Sequence, residues 1–491
     1  MLLRRFLAYL GLAAAVAAPI CGAEHEVNYW PAWVAPVDAA GKSPEWQAVG
    51  PLFFRKLLSE GRTAVGFRPF YLRKLNPAAH ETETDLLYPL FVYRTDGTEY
   101  RWSVFSLINR MGPESTAAGS GDASDRGLDI WPVYFSRETG SADTSYHAVF
   151  PIFGTVKNRF YVDRSTWVLF PLFLHTQSKG AIVNSMPWPF IRVISADGNS
   201  GFALWPLFGW RKKPGFYHRE FVLWPLIYRS VSHLDEPQPT EGHGFLPFYT
   251  HESSPGVVSE NYLWPFCGYT DRTAPYHYHE TRYFWPFFVQ GRGDDHYRNR
   301  WGPFYTHSVI KGDDKQWYAW PFYRREQWTD AGLLQTKTQF FYFLYWSMVQ
   351  RSATNPALAS AQKTHVWPLY SYWDNGAGRR QFQLFSPIDV FLDNENTHLL
   401  WSPLFAIYRY DQPAPDTHRY SFLFRFITWE REPGHTEFHL GPFFKSEHSD
   451  GTSRVALAGG LVSFRRTEAG WRPFWFDFSP KTAKTVLTAH R

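Results

Sequence analysis

The amino-acid sequence predicts an all-β fold in which tandem repeats of about 19 residues form a long antiparallel meander, curled or closed into a barrel-like or solenoid-like sheet. Three observations support this prediction: a Trp-Pro-Leu-Phe core recurs along almost the whole chain, polar turn sequences separate its copies, and helical periodicity is nearly absent. The clearest copies of the core lie at 204–208, 221–228, 263–266, 284–288, 319–323 and 366–370.

The first residues predict an export signal. Two arginines precede an apolar run at 6–18, and small residues follow it, so residues 1–23 are interpreted as a cleavable signal peptide. The apolar run is too short to span a membrane comfortably. Cys21 raises lipidation as an alternative, although Ile20 before it is unlike the small residue that lipidation sites favour.

Charge and cysteine content exclude some classes of protein. The chain has 50 basic and 45 acidic side chains and a net charge of +5, without the clustered basic face that a nucleic-acid-binding protein needs. Its two cysteines are Cys21 and Cys267, so the mature chain contains no internal disulfide. Cys267 follows a repeat core and is predicted to be a small buried side chain.

Beyond the signal, the sequence predicts one repeat domain with short flanking segments. Residues 24–50 are interpreted as an irregular lead-in, 51–480 as a single β-repeat domain of about 22 units, and 481–491 as a polar tail. Each repeat is predicted to be one strand of about 10–12 residues followed by a polar turn. Several turns carry Asp-Gly or Asn-Gly pairs, which favour tight hairpins: 96–97, 197–198, 375–376 and 450–451.

The repeat core places apolar residues at successive positions. Trp usually precedes the proline, Leu or Phe follows it, and neighbouring strand residues point to opposite faces. We therefore expect both faces of the sheet to be covered and the repeated Trp to be core. The proline removes a ladder donor, so it indicates either a bulge within one long strand or a corner between two short strands.

The three longest loops between repeats share one feature. They lie at 111–127, 231–243 and 350–362, and each follows an even-numbered repeat. In a meander this parity places all three at one end of the sheet.

The sequence offers few candidates for chemistry. It contains no nucleophile elbow, phosphate-binding loop, zinc helix or Cys-x-x-Cys pair, so we predict no catalytic residue, no cofactor and no enzyme activity. His277 and His279 are weak metal candidates because alternate residues of a strand share a face, and His435 and His439 are similarly placed. The Asp pairs at 294–295 and 313–314 are interpreted as solvated turn residues, with a calcium site as the alternative.

These observations predict an exported, non-catalytic β-repeat protein of the bacterial cell envelope that serves as a structural or partner-binding scaffold. An outer-membrane β-barrel is the alternative, because about 22 strands behind a signal peptide lie within the range of strand numbers that such barrels have. A carbohydrate-binding or carbohydrate-active protein is a third possibility, since sugars stack on exposed rings. The expected location is the periplasm, outer membrane or cell surface, and the partner is an envelope component or glycan with no nucleic acid.

Overall fold

The computed structural model describes residues 25–37, 42–114, 125–449, 451–467 and 470–478. The predicted signal peptide at 1–23, the question of lipidation at Cys21 and the predicted tail at 481–491 lie outside these residues.

The described residues form 45 strands and one short α-helix, α1 (Glu395–Leu400). Paired strands are antiparallel and follow one another in the chain, which confirms the all-β fold and the antiparallel meander. No helix in this part of the chain is both long and apolar enough to cross a membrane. The expected closure or strong curling is wrong, because in the sheet β1 (His25–Tyr29) pairs only with β2 (Trp33–Val37) and β45 (Gly470–Trp475) only with β44 (Val462–Thr467) among the described strands.

The chain divides into two compact units where the sequence predicts one repeat domain. Unit 1 contains residues 1–97 and 330–491. In the segment where the sequence predicts an irregular lead-in, the described residues include three strands, at 25–29, 33–37 and 46–48. The strands of unit 1 are β1, β2, β3 (Trp46–Ala48), β4 (Phe53–Leu57), β5 (Thr63–Phe67), β6 (Tyr71–Asn76), β7 (Glu81–Leu86), β8 (Phe91–Thr95), β33 (Leu333–Phe340), β34 (Tyr345–Ser352), β35 (Ala361–Val366), β36 (Tyr370–Asp374), β37 (Arg380–Leu384), β38 (Tyr408–Ala414), β39 (Thr417–Phe422), β40 (Ile427–Glu432), β41 (His435–Leu440), β42 (Phe444–Ser449), β43 (Thr452–Leu457), β44 and β45.

Unit 2 contains residues 98–329. Its strands are β9 (Glu99–Val104), β10 (Ile108–Pro113), β11 (Arg126–Ile130), β12 (Tyr134–Glu138), β13 (Tyr146–Val149), β14 (Phe153–Arg159), β15 (Val162–Val168), β16 (Phe173–Ser178), β17 (Ala181–Ser185), β18 (Ile191–Ser195), β19 (Ser200–Leu204), β20 (Phe208–Lys213), β21 (Tyr217–Val222), β22 (Ile227–Ser232), β23 (Thr240–Phe245), β24 (Tyr249–Ser254), β25 (Val257–Tyr262), β26 (Cys267–Arg272), β27 (Tyr278–Phe284), β28 (Phe288–Gly293), β29 (His296–Trp301), β30 (Tyr305–Ile310), β31 (Asp313–Tyr318) and β32 (Tyr323–Asp330), which ends at the unit boundary.

Most repeats contain two short strands rather than one long strand, because the Trp-Pro pair forms the turn between them. In the repeat around Pro225, β21 ends at Val222 and β22 begins at Ile227. The Leu226 amide donates to the Leu223 carbonyl at 2.7 Å and the Trp224–Pro225 bond is cis, which together define a type VI turn. Of the two explanations for the proline, the corner between short strands is therefore confirmed and the single strand of about 10–12 residues is wrong.

The opposite turns are the polar hairpins that the sequence predicts. Gly198 lies between β18 and β19 with φ of 71°, and Gly376 lies between β36 and β37 with φ of 72°. A left-handed φ is favourable for glycine and strained for most other residues, which explains the Asp-Gly and Asn-Gly pairs at these turns.

Buried side chains form two small clusters. In unit 2, Phe135, Tyr146, Ala148, Val156 and Trp167 pack together. In unit 1, Leu399 and Leu400 of α1 pack against strands β4 to β6 through the apolar side chains of Phe54, Ala64 and Leu72. The expectation that both sheet faces are fully covered is wrong along most strands of unit 2, because the apolar repeat core lies in the turns and not at mid-strand.

Candidate functional site

The Trp-Pro turns of unit 2 form one continuous apolar edge. Successive turns are separated by two antiparallel strands, so they return to the same end of the meander. We call this edge the apolar turn row. Its turns are residues 105–107, 131–133, 150–152, 169–172, 186–190, 205–207, 223–226, 246–248, 263–266, 285–287, 302–304 and 319–322.

Backbone hydrogen bonds join each turn of the row to the turn before it. The Leu223 amide donates to the Leu207 carbonyl at 2.6 Å, and the Trp224 amide donates to the Pro206 carbonyl at 2.7 Å. Because Leu226 donates within the turn and Pro225 has no N–H, every amide donor of turn 223–226 is accounted for.

The same complete pattern recurs in turns 169–172 and 319–322. From turn 131–133 to turn 319–322, at least one amide of each turn donates to the preceding turn at 2.5–2.9 Å. In the three complete turns, proline occupies the one position whose nitrogen makes no hydrogen bond, and it has no N–H that would need an acceptor.

Most apolar side chains of the row are exposed. Trp224 retains 47% of its surface, Trp320 57% and Phe304 74%. The expectation that the Trp before each proline is core is wrong for most of this row, because a ring at the tip of a hairpin has strand neighbours on one side only. The row contains no charged side chain in its turns or in the strand residues that flank them directly.

Arginines lie immediately behind the row. The second and third strand residues from the turns include seven arginines and three acids, a formal balance of 7 − 3 = +4. Each acid contacts a basic or imidazole side chain: Asp129 contacts Arg159, Glu220 contacts His218 and Glu260 contacts His251. The seven arginines are Arg110, Arg192, Arg229, Arg282, Arg300, Arg324 and Arg325.

Three of these arginines, Arg110, Arg229 and Arg325, are exposed and form no ion pair with a described residue. Each is the third strand residue from its turn, and therefore roughly 10 Å behind it at about 3.4 Å per residue. The edge thus consists of an apolar tip and a band of cationic side chains at a nearly constant distance from it.

The opposite end of unit 2 is polar. Its turns carry Gly180, Gly198 and Gly312 next to charged residues, and the longest loops that the structure describes at this end include 233–239. The loops at 111–127, of which 115–124 are not described, and 231–243 therefore share one end of unit 2, as the parity predicts. In unit 1 the loop at 350–362 also lies opposite its neighbouring apolar turn at 341–344.

The predicted metal candidates do not converge with further ligands. His279 contacts Asp271 through Nδ1 and Thr281 Oγ1 through Nε2 at 3.0 Å, whereas His277 lies outside β27 and its amide donates to Asp294 at 3.0 Å. The described residues contain no group of three or more His, Cys, Asp and Glu side chains arranged to hold a metal ion. Cys267 is only half-buried, contrary to prediction, and its thiol donates to the Tyr283 carbonyl at 3.2 Å.

His435 and His439 instead flank a buried acid in unit 1. Glu437 has 1% exposure and contacts Lys445 and His439, whose Nε2 is 2.8 Å from Glu437 Oε1. Burial opposes the charge of Glu437, but Lys445 and the two imidazoles outweigh it and hold the pKa of Glu437 well below its usual range. The Glu26 amide also donates to Glu437, so this network joins β1 to β41 and is structural.

Sequence analysis missed a group of catalytic-type residues around α1. His398 lies 3.4 Å from Ser402 Oγ and 2.9 Å from Asp393. The Ser402 hydroxyl, however, donates to Asp389 at 2.5 Å and the residue is 4% exposed. A serine in this state is neither accessible to a substrate nor activated by the histidine, so the group stabilises the segment around α1.

Comparison with protein-family models and with curated proteins found no match.

Proposed function

We propose that the chain is an exported, non-catalytic β-repeat scaffold of the bacterial cell envelope, and that the apolar turn row attaches it to a lipid surface. One observation carries this proposal: an unbroken row of half-exposed Trp, Phe and Leu side chains with no charge among them. Exposed apolar surface of this extent is typical of a site that contacts a membrane or another macromolecule.

The backbone of the row favours lipid as the contact. A polar backbone group that enters an apolar medium without a partner is strongly unfavourable. In turns 169–172, 223–226 and 319–322 every amide has a partner or is replaced by proline. The amides of such a turn therefore give up few hydrogen bonds to water when the turn moves from water into lipid. Trp is also the side chain that most favours the boundary between lipid and water.

The charges behind the row support the same assignment. Amphipathic elements that lie on membranes bury their apolar face about 5–10 Å into the boundary of headgroups and acyl chains. The exposed Arg110, Arg229 and Arg325, roughly 10 Å behind the turns, would then lie at the level of the headgroups. Guanidinium groups bind phosphate oxygens well, so the band complements an anionic lipid surface.

A protein partner fits the row less well. Specific protein interfaces combine an apolar centre with about one hydrogen bond per 100–200 Å². The row has no charged side chain and few polar ones, and equivalent turns carry Trp, Phe, Leu, Ile, Val or Met in varying order. A fluid surface adapts to this variation, whereas a fixed partner surface does not.

Vesicle flotation tests the lipid contact. The purified chain should float with vesicles of phosphatidylcholine and phosphatidylglycerol, and less well with phosphatidylcholine alone. We expect a variant with Leu223→Ser, Trp224→Ser and Leu226→Ser to bind at least about tenfold more weakly, because it removes three apolar side chains from the boundary. The matched control is Phe216→Ser, which removes a ring of 48% exposure at the opposite end of the sheet.

Circular dichroism and thermal melting establish that both variants are folded. Quenching of Trp fluorescence by brominated lipids provides a second measurement on the unaltered chain. Failure of the folded wild-type chain to float, or equal flotation of the triple variant, contradicts the lipid assignment. A change of oligomeric state in the triple variant, with flotation unchanged, would assign the row to self-association instead.

Export is tested separately in cells. Mass spectrometry of the N-terminus should find a mature chain that begins near Glu24, and fractionation should recover it with the envelope. A chain that keeps its first residues and stays with soluble cytoplasmic protein contradicts the localisation without affecting the flotation result.

Glycan binding is the second candidate, and the exposure of the Trp rings favours it because sugars stack on such rings. A glycan array separates the two candidates. Sugar binding requires the flat ring and should survive Leu223→Ser and Leu226→Ser, whereas lipid binding should weaken with loss of either Trp or Leu.

A further inference from the structure

Unit 1 contains a cavity of about 350 Å³ between its N-terminal strands and the segment from α1 to β40. Its apolar lining includes Phe54 and Leu399, and its polar lining is dominated by basic side chains. Pockets for small molecules typically begin at about 300 Å³ and combine apolar walls with a few placed polar groups.

Six cations and two acids line the cavity, a formal balance of 6 − 2 = +4. Three of the cations are neutralised by ion pairs: Arg409 with Asp411 at 2.8 Å, Arg419 with Glu430 at 2.7 Å, and Arg425 with Glu26. The remaining three are Arg55, Lys56 and Arg68, and they form no ion pair with a described residue.

Glu45 is the second acid of the lining, and one of its carboxylate oxygens accepts the Leu57 amide at 3.0 Å. The lining therefore contains three cations that form no ion pair with a described residue, and one acid, Glu45, outside the three ion pairs. Glu430 and Glu26, which pair with Arg419 and Arg425, lie outside the lining. The cavity keeps an excess of positive charge even when these two acids are included in the count.

Arg68 is the most deeply placed of these cations, with 2% exposure. Its guanidinium lies 3.7 Å from the centre of the Phe54 ring and donates to the carbonyls of Leu399 at 2.6 Å and Pro51 at 2.5 Å. Burial, and then the neighbouring Arg409, lower the pKa of Arg68 to about 9. A cation held only by carbonyls and a ring gains strongly from an anion at the site.

Lys56 lies in the concave wall, where protein atoms surround it although solvent still reaches its side chain. This enclosure, followed by repulsion from Arg409, lowers the pKa of Lys56. An anion in the cavity would relieve both the repulsion and the partial desolvation.

We infer that this cavity binds an organic phosphate, with Lys56 and Arg68 toward the phosphate and the apolar wall toward the rest of the ligand. Inorganic phosphate would leave most of the 350 Å³ and the Phe54–Leu399 wall without contact. The inference is independent of the apolar turn row and of export, since it uses residues of unit 1 alone.

Isothermal titration calorimetry on the purified chain tests the site with three probes: dihexanoyl phosphatidic acid, glucose 1-phosphate and inorganic phosphate. We expect saturable binding of an organic phosphate, tighter than that of inorganic phosphate and weaker at high salt. Preference for the first probe assigns the site to a lipid headgroup, and preference for the second to a phosphorylated sugar.

Lys56→Gln should weaken binding about tenfold or more, because it removes a charged partner of the phosphate. The exposed Arg351→Gln is a charge-matched control and should leave the affinity unchanged. Arg68 is too deeply packed to serve as the first variant. Absence of saturable binding of all three probes to the folded chain, or unchanged affinity in Lys56→Gln, would overturn the inference.

Discussion

Asp85 is a buried acid whose surroundings oppose its charge. It has no exposed surface, and the Asn396 side chain of α1 donates to one of its oxygens at 2.7 Å. Its other oxygen is without a hydrogen bond. Burial, and then the neighbouring Glu83, raise the pKa of Asp85 to about 7. The folded chain therefore holds a proton at Asp85 under conditions in which the unfolded chain has released it.

This shift predicts the pH dependence of stability. Between the unfolded pKa of 3.8 and the folded value of about 7, the folded state binds more protons, so the free energy of unfolding falls as pH rises. Asp85→Asn removes the titration and keeps the acceptor for Asn396. We expect the variant to be more stable than wild type by at least about 1 kcal/mol at pH 8 and no more stable at pH 4.

Urea unfolding at both pH values measures the difference. The control is Asp416→Asn, an exposed acid in the loop between β38 and β39, which should show no such dependence on pH. A stability gain that is equal at pH 4 and pH 8 would show that Asp85 does not titrate between them.

At the scale of the element, α1 and its flanking segments interrupt the repeats and pack against the N-terminal strands of unit 1. Leu400 has no exposed surface and packs with Phe54 and Leu72 of the N-terminal strands. This helix is difficult to predict from the sequence, because Pro387 and Pro403 resemble repeat prolines and α1 has only six residues. A capping bond from the Thr397 amide to Asn394 at 2.9 Å is the local signal that marks its start.

Leu400→Ala should lower the free energy of unfolding by about 2–4 kcal/mol, since it opens a cavity in a packed cluster. Leu392→Ala is the matched control in the same segment, where the side chain is 42% exposed, and should change stability by less than about 0.5 kcal/mol. Chemical denaturation provides both values. Equal effects of the two substitutions would mean that α1 does not stabilise unit 1.

The turn elements show where sequence reasoning succeeds and where it stops. Asp197-Gly198 and Asn375-Gly376 predicted their hairpins correctly, because a left-handed φ is a local requirement. Trp224-Pro225 was predicted to lie at mid-strand or at a corner, since an apolar run with proline fits both. What distinguishes the two is a contact between repeats: the Trp224 amide donates to the carbonyl of Pro206, which belongs to the previous repeat. One repeat taken alone does not show this bond.

Contacts between residues that are far apart in the chain are harder still to predict from the sequence. The Glu26 amide donates to Glu437 from 411 residues away, and no periodicity in one sequence indicates such a pair. The same limit applies to the cavity lined by Lys56 and Arg409. The apolar turn row could be predicted as a set of repeats, but its exposure could not, because exposure depends on which end of each strand carries the core.

At the scale of the whole molecule, the meander of unit 2 makes its strands depend on near neighbours. β20 pairs with β19 and β21, and β21 pairs with β20 and β22, with no other strand partner among the described residues. Stability in such an array is approximately a sum of repeat and neighbour contributions. Removal of one complete repeat should therefore shorten the sheet without destroying it.

Deletion of residues 205–222 tests this property, because it removes one apolar turn, β20, a polar turn and β21. Leu204 then joins Leu223, β19 can pair with β22, and the remaining apolar turns stay at one end. We expect a soluble, folded chain that still floats with anionic vesicles.

Deletion of 208–216 alone removes one strand and one turn, which moves the later apolar turns to the opposite end. That chain should aggregate or lose flotation, as measured by size-exclusion chromatography and the vesicle assay. If both deletions behave alike, the common end of the turns does not determine either property.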